Sequence, residues 1–186
     1  MLRQQSQLVF DFTVTQVVAM GLHPHGLAAD SPEGRALITQ ALADMDLSDF
    51  ATRPATRLSG GEGQRVHIAR SLVQLRAGRR QGHPGLLLLD EPTTGLDYRH
   101  QLALLTVLKS EAEAGATIVA TLHDLPLACR LATRLLLISR GQLLADLPPA
   151  QLEPTLVADV YAIDTAEAAL LLGLGRAPLA LPLAAE

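Results

Sequence analysis

Two acidic side chains follow directly on an apolar run in this sequence. Asp90 and Glu91 come after four consecutive leucines, Leu86–Leu89. A run without polar alternation predicts a strand buried on both faces, as in a parallel sheet, and α/β proteins bind ligands at the carboxyl edge of such a sheet. One acid near Mg²⁺ and a second that orients or deprotonates a water are what ATP hydrolysis requires. The alternative is that Asp90 simply caps the turn after a strand.

A glycine-rich turn opens a helix upstream of the acids. Ser59 is followed by Gly60 and Gly61 and then by a helical pattern of apolar residues. The first N–H groups of a helix have no partner within it, so such a turn suits a phosphate group. The alternative is an ordinary helix cap that contains glycine.

Together the two segments resemble the ATP-binding subunits of ABC transporters. The residues Leu58–Arg70 read Leu-Ser-Gly-Gly-Glu-x-Gln-Arg-Val-x-x-Ala-Arg, like the family's signature motif, and Leu86–Glu91 reads like its Walker B motif. The resemblance implies that Asp90 holds Mg²⁺, usually through water, and that Glu91 is the general base. It also implies that the signature turn binds the γ-phosphate of ATP held by a facing subunit, through Ser59, Gly60 and Gly61.

Three further positions match motifs of the family. Thr93–Asp97 resembles the D-loop, which implies that Asp97 lies at a dimer interface and helps to position the opposite site. His123 follows a predicted strand and matches the family's switch histidine, a ligand of the γ-phosphate. Gln4 matches the Q-loop glutamine, which contacts Mg²⁺ and couples to membrane subunits, although the adjacent Gln5 gives an alternative register. The ordinary interpretation of an isolated histidine or a terminal glutamine is an exposed side chain, and the other five histidines show no metal-ligand spacing.

The sequence departs from the family at a few places. Gly63 stands where glutamine is usual, and Gly95 where alanine is common. No Gly-x-x-x-x-Gly-Lys-[Ser/Thr] sequence occurs, which is the P-loop that grips the β- and γ-phosphates. The resemblance therefore predicts an α/β fold that is a truncated P-loop NTPase (ABC ATPase) domain, with a helical subdomain and a RecA-like parallel-sheet core. The expected parts are the Q-loop and helical subdomain (1–57), the core (58–147) and a C-terminal helix with a loosely packed tail (148–186).

The local patterns predict the individual elements. The segment Arg76–Pro84 is basic and rich in glycine, which favours a surface loop, and the tail from Ala166 is assigned no fold. Helices are predicted at Val14–Met20, from Ser31 to about Met45, and at Gly61–Leu75, Tyr98–Ala114, Asp124–Ala132 and Pro148–Tyr161. Strands are predicted at Leu86–Leu89, Ala116–Leu122, Arg134–Ser139 and Gln142–Ala145, the last two forming a hairpin.

Composition limits the partners. A net charge of -4 gives no electrostatic argument for nucleic acid as a main partner. The single cysteine excludes an internal disulfide framework and favours a reducing compartment. No signal peptide is visible, and the longest apolar runs are far shorter than the ~20 residues that span a bilayer. Any membrane role is therefore expected to be peripheral.

The leading hypothesis is an ATPase subunit of a bacterial-type ABC importer for haemin. It depends on Asp11–Val14, Leu58–Arg70, the insert Arg76–Gly85 and Tyr98–Gln101, which together resemble haemin importers. That resemblance implies ATP and Mg²⁺ as cofactors, a dimer with itself or another ATPase subunit, transmembrane permease subunits, and indirectly a periplasmic binding protein. It places the protein at the cytoplasmic face of the inner membrane. The alternatives are a non-hydrolysing interaction protein that completes a partner's ATP site, and a non-transport relative that handles DNA or ribosomes.

Overall fold

The computed structural model describes residues 11–173. The chain forms two compact units that divide between Thr121 and Leu122. The elements of the first unit are α1 (Val14–Ala19), α2 (Pro32–Asp44), α3 (Gly60–Arg80), β1 (Leu86–Leu89), α4 (Tyr98–Glu113) and β2 (Thr117–Ala120). Those of the second are α5 (Leu125–Leu131), β3 (Leu135–Ser139), β4 (Gln142–Leu147), α6 (Pro154–Tyr161) and α7 (Thr165–Leu171).

Helices α1, α2 and α3 each begin with a capping residue, and they pack on one another through their apolar faces. Thr13 and Ser31 accept hydrogen bonds at the starts of α1 and α2. Leu72 of α3 is completely buried, and burial of a leucine stabilises a fold by roughly 1.5–3 kcal/mol. Other fully buried side chains here are Val14, Val18, Leu22, Leu47 and Val73.

Helix α3 is longer than predicted. It continues through Arg80, so the interpretation of Arg76–Pro84 as a surface loop is wrong for its first five residues. Arg76 forms ion pairs with Asp44 of α2 and Glu111 of α4. These partners are distant in sequence, so a local pattern does not reveal them. Arginines in a last helical turn are also favourable with the helix dipole.

The first unit contains a pair of parallel strands. Strands β1 and β2 align Leu86 with Thr117 and Leu89 with Ala120. Leu87 is 6% exposed, whereas Leu86 and Leu88 are 59% and 68% exposed. The expectation that this run is buried on both faces is therefore wrong for the residues that the structure describes. Helices α3 and α4 contact the strands, and the alternating exposure shows that they cover one face.

The second unit is built on the predicted hairpin. Strands β3 and β4 pair antiparallel. Arg140 and Gly141 both have positive φ, as the tight two-residue turn between twisted strands requires. The core beneath the hairpin contains Leu125, Leu135, Leu152, Val157, Ala158 and Ala168.

At two places the end of the chain differs from the expectation based on its sequence. The helix expected at Pro148–Tyr161 begins only at Pro154, after β4 and a 3-10 turn at Pro149–Gln151. The segment from Ala166, which was assigned no fold, contributes most of helix α7. Asp164 and Glu167 form a capping box there, and this pair of residues was the overlooked signal.

Candidate active site

The two acids lie at the end of β1, beside the end of β2. Because the strands are parallel and in register, Asp90 and Thr121 follow directly on paired residues. The Thr121 hydroxyl donates to Asp90 Oδ1 at 2.6 Å and accepts from the Glu91 N–H at 2.9 Å. One hydroxyl therefore holds both residues of the predicted pair. Sequence reasoning did not select Thr121, although the register of two parallel strands was the signal that could have found it.

Glu91 has an unusual backbone conformation. Its φ is +45°, in the left-handed region that costs a non-glycine residue roughly 1–3 kcal/mol. Hydrogen bonds from Thr94 hold it in place: the backbone N–H donates to Glu91 O, and the hydroxyl donates to Glu91 Oε2, both at 3.1 Å. Pro92 is completely buried behind it. Strain of this kind concentrates at functional sites, and here it falls on the residue predicted to be the general base.

The donor chemistry of Asp90 fits magnesium. Its side chain is an exposed carboxylate at the carboxyl edge of the sheet, and Mg²⁺ prefers one or two carboxylates while keeping water or phosphate oxygens as its other ligands. Within residues 11–173 no group of three or more acidic, histidine or cysteine side chains could hold a metal by itself. A protein contribution limited to Asp90 and few others suits Mg²⁺ bound together with a nucleotide. Gln4, the second predicted ligand, lies outside the described residues.

The signature turn forms the start of α3. Ser59 caps the helix: its hydroxyl accepts from the Glu62 N–H at 3.3 Å, and Glu62 Oε2 accepts from the Ser59 N–H at 2.6 Å. These hydrogen bonds from Ser59 lower the pKa of Glu62, with Arg53 and Arg65 adding to the effect. Gly60 is exposed at the first helical position. The turn thus presents helix N–H groups to solvent, as an anion site needs.

The signature turn packs against the D-loop of the same chain. A Cβ atom added to Gly61 would lie 2.5 Å from the carbonyl oxygen of Gly95, so only glycine fits. Gly95 itself has a φ of +75°, a left-handed conformation that glycine adopts without strain. The fold therefore brings together two predicted motifs that are separated by more than thirty residues.

Asp97 caps helix α4. Its Oδ1 accepts from the His100 N–H at 2.9 Å and faces His100 Nδ1 at 2.8 Å. These hydrogen bonds from His100 lower the pKa of Asp97, and the charge of Arg65 adds a smaller effect. The side chain is 66% exposed, so it remains accessible to a partner. The predicted role across a dimer interface stays a prediction.

His123 belongs to the second unit. It is exposed, and its carbonyl oxygen accepts a hydrogen bond from the Tyr161 hydroxyl at 3.5 Å. The next residue, Asp124, caps α5 by accepting from the Leu127 N–H at 2.8 Å. His123 follows Thr121 by two residues, and its predicted contact with the γ-phosphate stays a prediction.

The fold and these motifs define a class of protein. The ABC transporter family model matches residues 1–94, and the chain belongs to this family. A solved chain of an ABC transporter described as of the metal-chelate type, in an inward-facing conformation, superposes with a TM-score of 0.67 at 26% identity. The match covers 87% of this chain and 61% of that one. The α/β fold with a parallel sheet is thereby confirmed as that of an ABC ATPase.

Sequence relatives include the hemin import ATP-binding proteins HmuV. The protein of Rhodopseudomonas palustris strain CGA009 is 46% identical over 162 residues, which is 87% of this chain and 59% of the relative. That of Nitrobacter winogradskyi is 45% identical over 150 residues, covering 81% of this chain and 54% of the relative. That of Bradyrhizobium diazoefficiens is 44% identical over 165 residues, covering 88% and 60%. The chain thus spans little more than half the length of these relatives.

Proposed function

We propose that the protein is the ATP-hydrolysing subunit of an ABC importer and that Asp90 and Glu91 are at its reaction centre. The observation that carries the proposal is the Thr121 hydroxyl, which fixes both acids at the carboxyl edge of the parallel strands. Structural carboxylates at a strand end do not need a shared hydroxyl and a strained backbone. A reaction that depends on the relative positions of two acids needs both acids to be held in place in this way.

The two acids have different tasks in this proposal. Glu91 accepts the proton of the water that attacks the γ-phosphate, and the Thr94 hydroxyl keeps its carboxylate oriented. Asp90 holds Mg²⁺, with Gln4 as a further ligand. When bound, Mg²⁺ neutralises charge that develops on the phosphate oxygens. His123 contacts the γ-phosphate from the segment that follows β2.

The signature turn acts on the nucleotide of a facing subunit. Ser59, Gly60 and Gly61 offer a hydroxyl and helix N–H groups, which favour the negative charge of a γ-phosphate. Asp97 lies at the same interface and positions the opposite site. The protein therefore works as a dimer with a second copy or with another ATPase subunit.

The proposed cargo and partners follow the relatives. Proteins named as hemin import ATP-binding proteins are 43–46% identical to this chain, which supports haemin as the cargo. The partners are then transmembrane permease subunits and, indirectly, a periplasmic binding protein, with the ATPase at the cytoplasmic face of the inner membrane. No helix within residues 11–173 is both long and apolar enough to cross a bilayer. The net charge of -4 supports no role for nucleic acid.

Glu91→Gln tests the catalytic assignment in the protein as its gene encodes it. Loss of a general base lowers turnover by about 10²–10⁴-fold, whereas ATP binding is expected to persist. Glu113→Gln, an exposed change on α4, is the matched control. Unchanged ATP turnover in Glu91→Gln would contradict the assignment. A parent protein that binds a second ATPase subunit but hydrolyses no ATP would favour the interaction-protein hypothesis.

Growth on haemin tests the cargo. A strain that lacks the gene is expected to grow poorly when haemin is the only iron source. The parent gene should restore growth, and Glu91→Gln should not. Growth that is the same with and without the gene would argue against haemin while leaving the ATPase assignment intact.

A further inference from the structure

The ring of His100 lies between two carboxylates from different parts of the chain. Its Nδ1 is 2.8 Å from Asp97 Oδ1 in the D-loop, and its Nε2 is 3.4 Å from Asp46 Oδ2 at the end of α2. The side chain is only 18% exposed. A neutral imidazole carries one N–H and can donate to one of these acids, whereas the protonated ring donates to both. The ring therefore bridges the end of α2 and the D-loop.

The Asp46 end of this contact is firmly held by α3. Asp46 has a φ of +53° and follows Met45, the C-cap residue of α2. The guanidinium of Arg65, which is 7% exposed, donates to the carbonyl oxygens of Met45 and Asp46 at 2.8 and 2.9 Å. Because Arg65 belongs to the signature helix, the corner that Asp46 occupies is fixed relative to that helix.

Two carboxylates contact the ring of His100, and two arginines lie near one of these carboxylates. Asp97 and Asp46 contact the ring directly. Arg99 lies 3.3 Å from Asp46 Oδ2 and is 79% exposed, and Arg65 Nη1 lies 4.0 Å from the same oxygen. Within residues 11–173, two carboxylates from separate segments contact the ring nitrogens.

We propose that His100 is a positioning residue that couples the corner at Asp46 to the D-loop. Through its two ring nitrogens it holds the Asp97 carboxylate in a fixed position relative to α3. The inference rests on the proposed function, in which Asp97 helps to position the ATP site of a facing subunit. His100 touches no reacting group itself. It links the position of the corner at Asp46 to the position of the D-loop.

The contact can be tested without any activity. The chemical shifts of the two imidazole nitrogens, measured by NMR on protein with ¹⁵N-labelled histidine, report whether each nitrogen carries a proton. Asp46→Asn is expected to change the Nε2 signal. Ring signals that are identical in the parent and in Asp46→Asn would overturn the proposal.

Kinetics test the consequence of the contact. We expect His100→Gln to lower kcat for ATP roughly 3- to 10-fold with KM for ATP within about 2-fold of the parent, as for a change in coupling between sites. His67→Gln, the same substitution at an exposed histidine of α3, is the matched control and should behave as the parent.

The outcomes separate this inference from the proposed function. If the parent hydrolyses ATP and His100→Gln keeps the parent kcat, the coupling is overturned and the ATPase assignment stands. A parent without ATP turnover would remove the proposed function, and the ring signals would then decide whether the contact exists. If His100→Gln fails to fold by circular dichroism, Asp46→Asn carries the same kinetic test, because it removes the other half of the contact.

Discussion

An apolar side chain of the same shape cannot replace the hydroxyl of Thr121. Thr121→Val keeps the β-branched volume but removes the donor to Asp90 and the acceptor for the Glu91 N–H. We expect ATP turnover to fall about 10-fold or more, since one lost hydrogen bond of this kind is worth about 1.5 kcal/mol and two are lost. Steady-state ATP hydrolysis by the parent and the variant measures the effect.

The strand that precedes Thr121 supplies a control for it. Thr117 is exposed at the start of β2, and Thr117→Val makes the same chemical change four residues away. It should leave turnover within about 2-fold of the parent, because surface substitutions away from specific contacts have effects within ±0.5 kcal/mol. Equal losses in the two variants would mean that the hydroxyl of Thr121 has no special role.

Contact between the signature turn and the D-loop makes a prediction about stability. In Gly61→Ala, the new methyl group meets the Gly95 carbonyl at 2.5 Å, so the two loops must separate. Overpacking of this kind costs typically 1–3 kcal/mol of unfolding free energy. Gly60→Ala, where no atom lies within 4 Å of an added Cβ, should not lose stability. Denaturant unfolding compares the two, and equal stability would refute the close approach of the loops.

Helix α3 joins the signature turn to the rest of the first unit, and its first turn depends on an ionised Glu62. The carboxylate accepts from the Ser59 N–H at 2.6 Å, and the hydrogen bonds from Ser59 lower the pKa of Glu62 in the folded protein. A lowered pKa means that this contribution to stability is present above the unfolded-state value of about 4.3. It is lost as pH falls through the folded-state pKa.

Glu62→Gln therefore separates the charge from the hydrogen bond. Glutamine keeps an oxygen that can accept from the Ser59 N–H but cannot ionise. We expect the parent to be the more stable protein at neutral pH, and the difference in melting temperature to shrink toward zero as pH falls below about 4. Thermal unfolding of both proteins across this range measures it. A difference that does not depend on pH would contradict the role of the charge.

Sequence patterns placed most elements correctly and failed where a distant contact decides the outcome. The capped starts of α1 and α2 and the turn at Arg140 and Gly141 depend on neighbours along the chain, so local rules predict them. The last turn of α3 depends on ion pairs with α2 and α4, and its length was underestimated. The local composition also gave no indication of α7, because the capping box of Asp164 lies just before a segment rich in alanine and leucine that resembles an unstructured tail.

At the scale of the molecule, the motifs were predictable and their connections were not. The positions of Asp90 and Glu91 after a strand follow from the order of apolar and acidic residues. The hydroxyl that joins them comes from another strand, more than thirty residues on. The same holds for the close approach of Gly61 to Gly95 and for the ring of His100 between two carboxylates. A linear pattern predicts which groups are present, and the fold determines which of them touch.

A cluster of buried charges ties three helices of the first unit together. Glu111 of α4 is 7% exposed and forms ion pairs with Arg76 at 2.7 Å and Arg79 at 3.2 Å on α3. Arg76 also pairs with Asp44 of α2 at 2.6 Å. Because burial removes water from these groups, each charge depends on its partners, and removing one partner leaves the others uncompensated.

Glu111→Gln is therefore expected to destabilise the first unit by roughly 3 kcal/mol, since it leaves the buried guanidinium of Arg76 without one of its two carboxylates. Glu113→Gln removes the same charge from an exposed position on the same helix and should change the unfolding free energy by less than about 0.5 kcal/mol. Urea unfolding at neutral pH gives both values. If the two variants unfold at the same urea concentration, the cluster does not hold the three helices together, and the extension of α3 through Arg80 must have another cause.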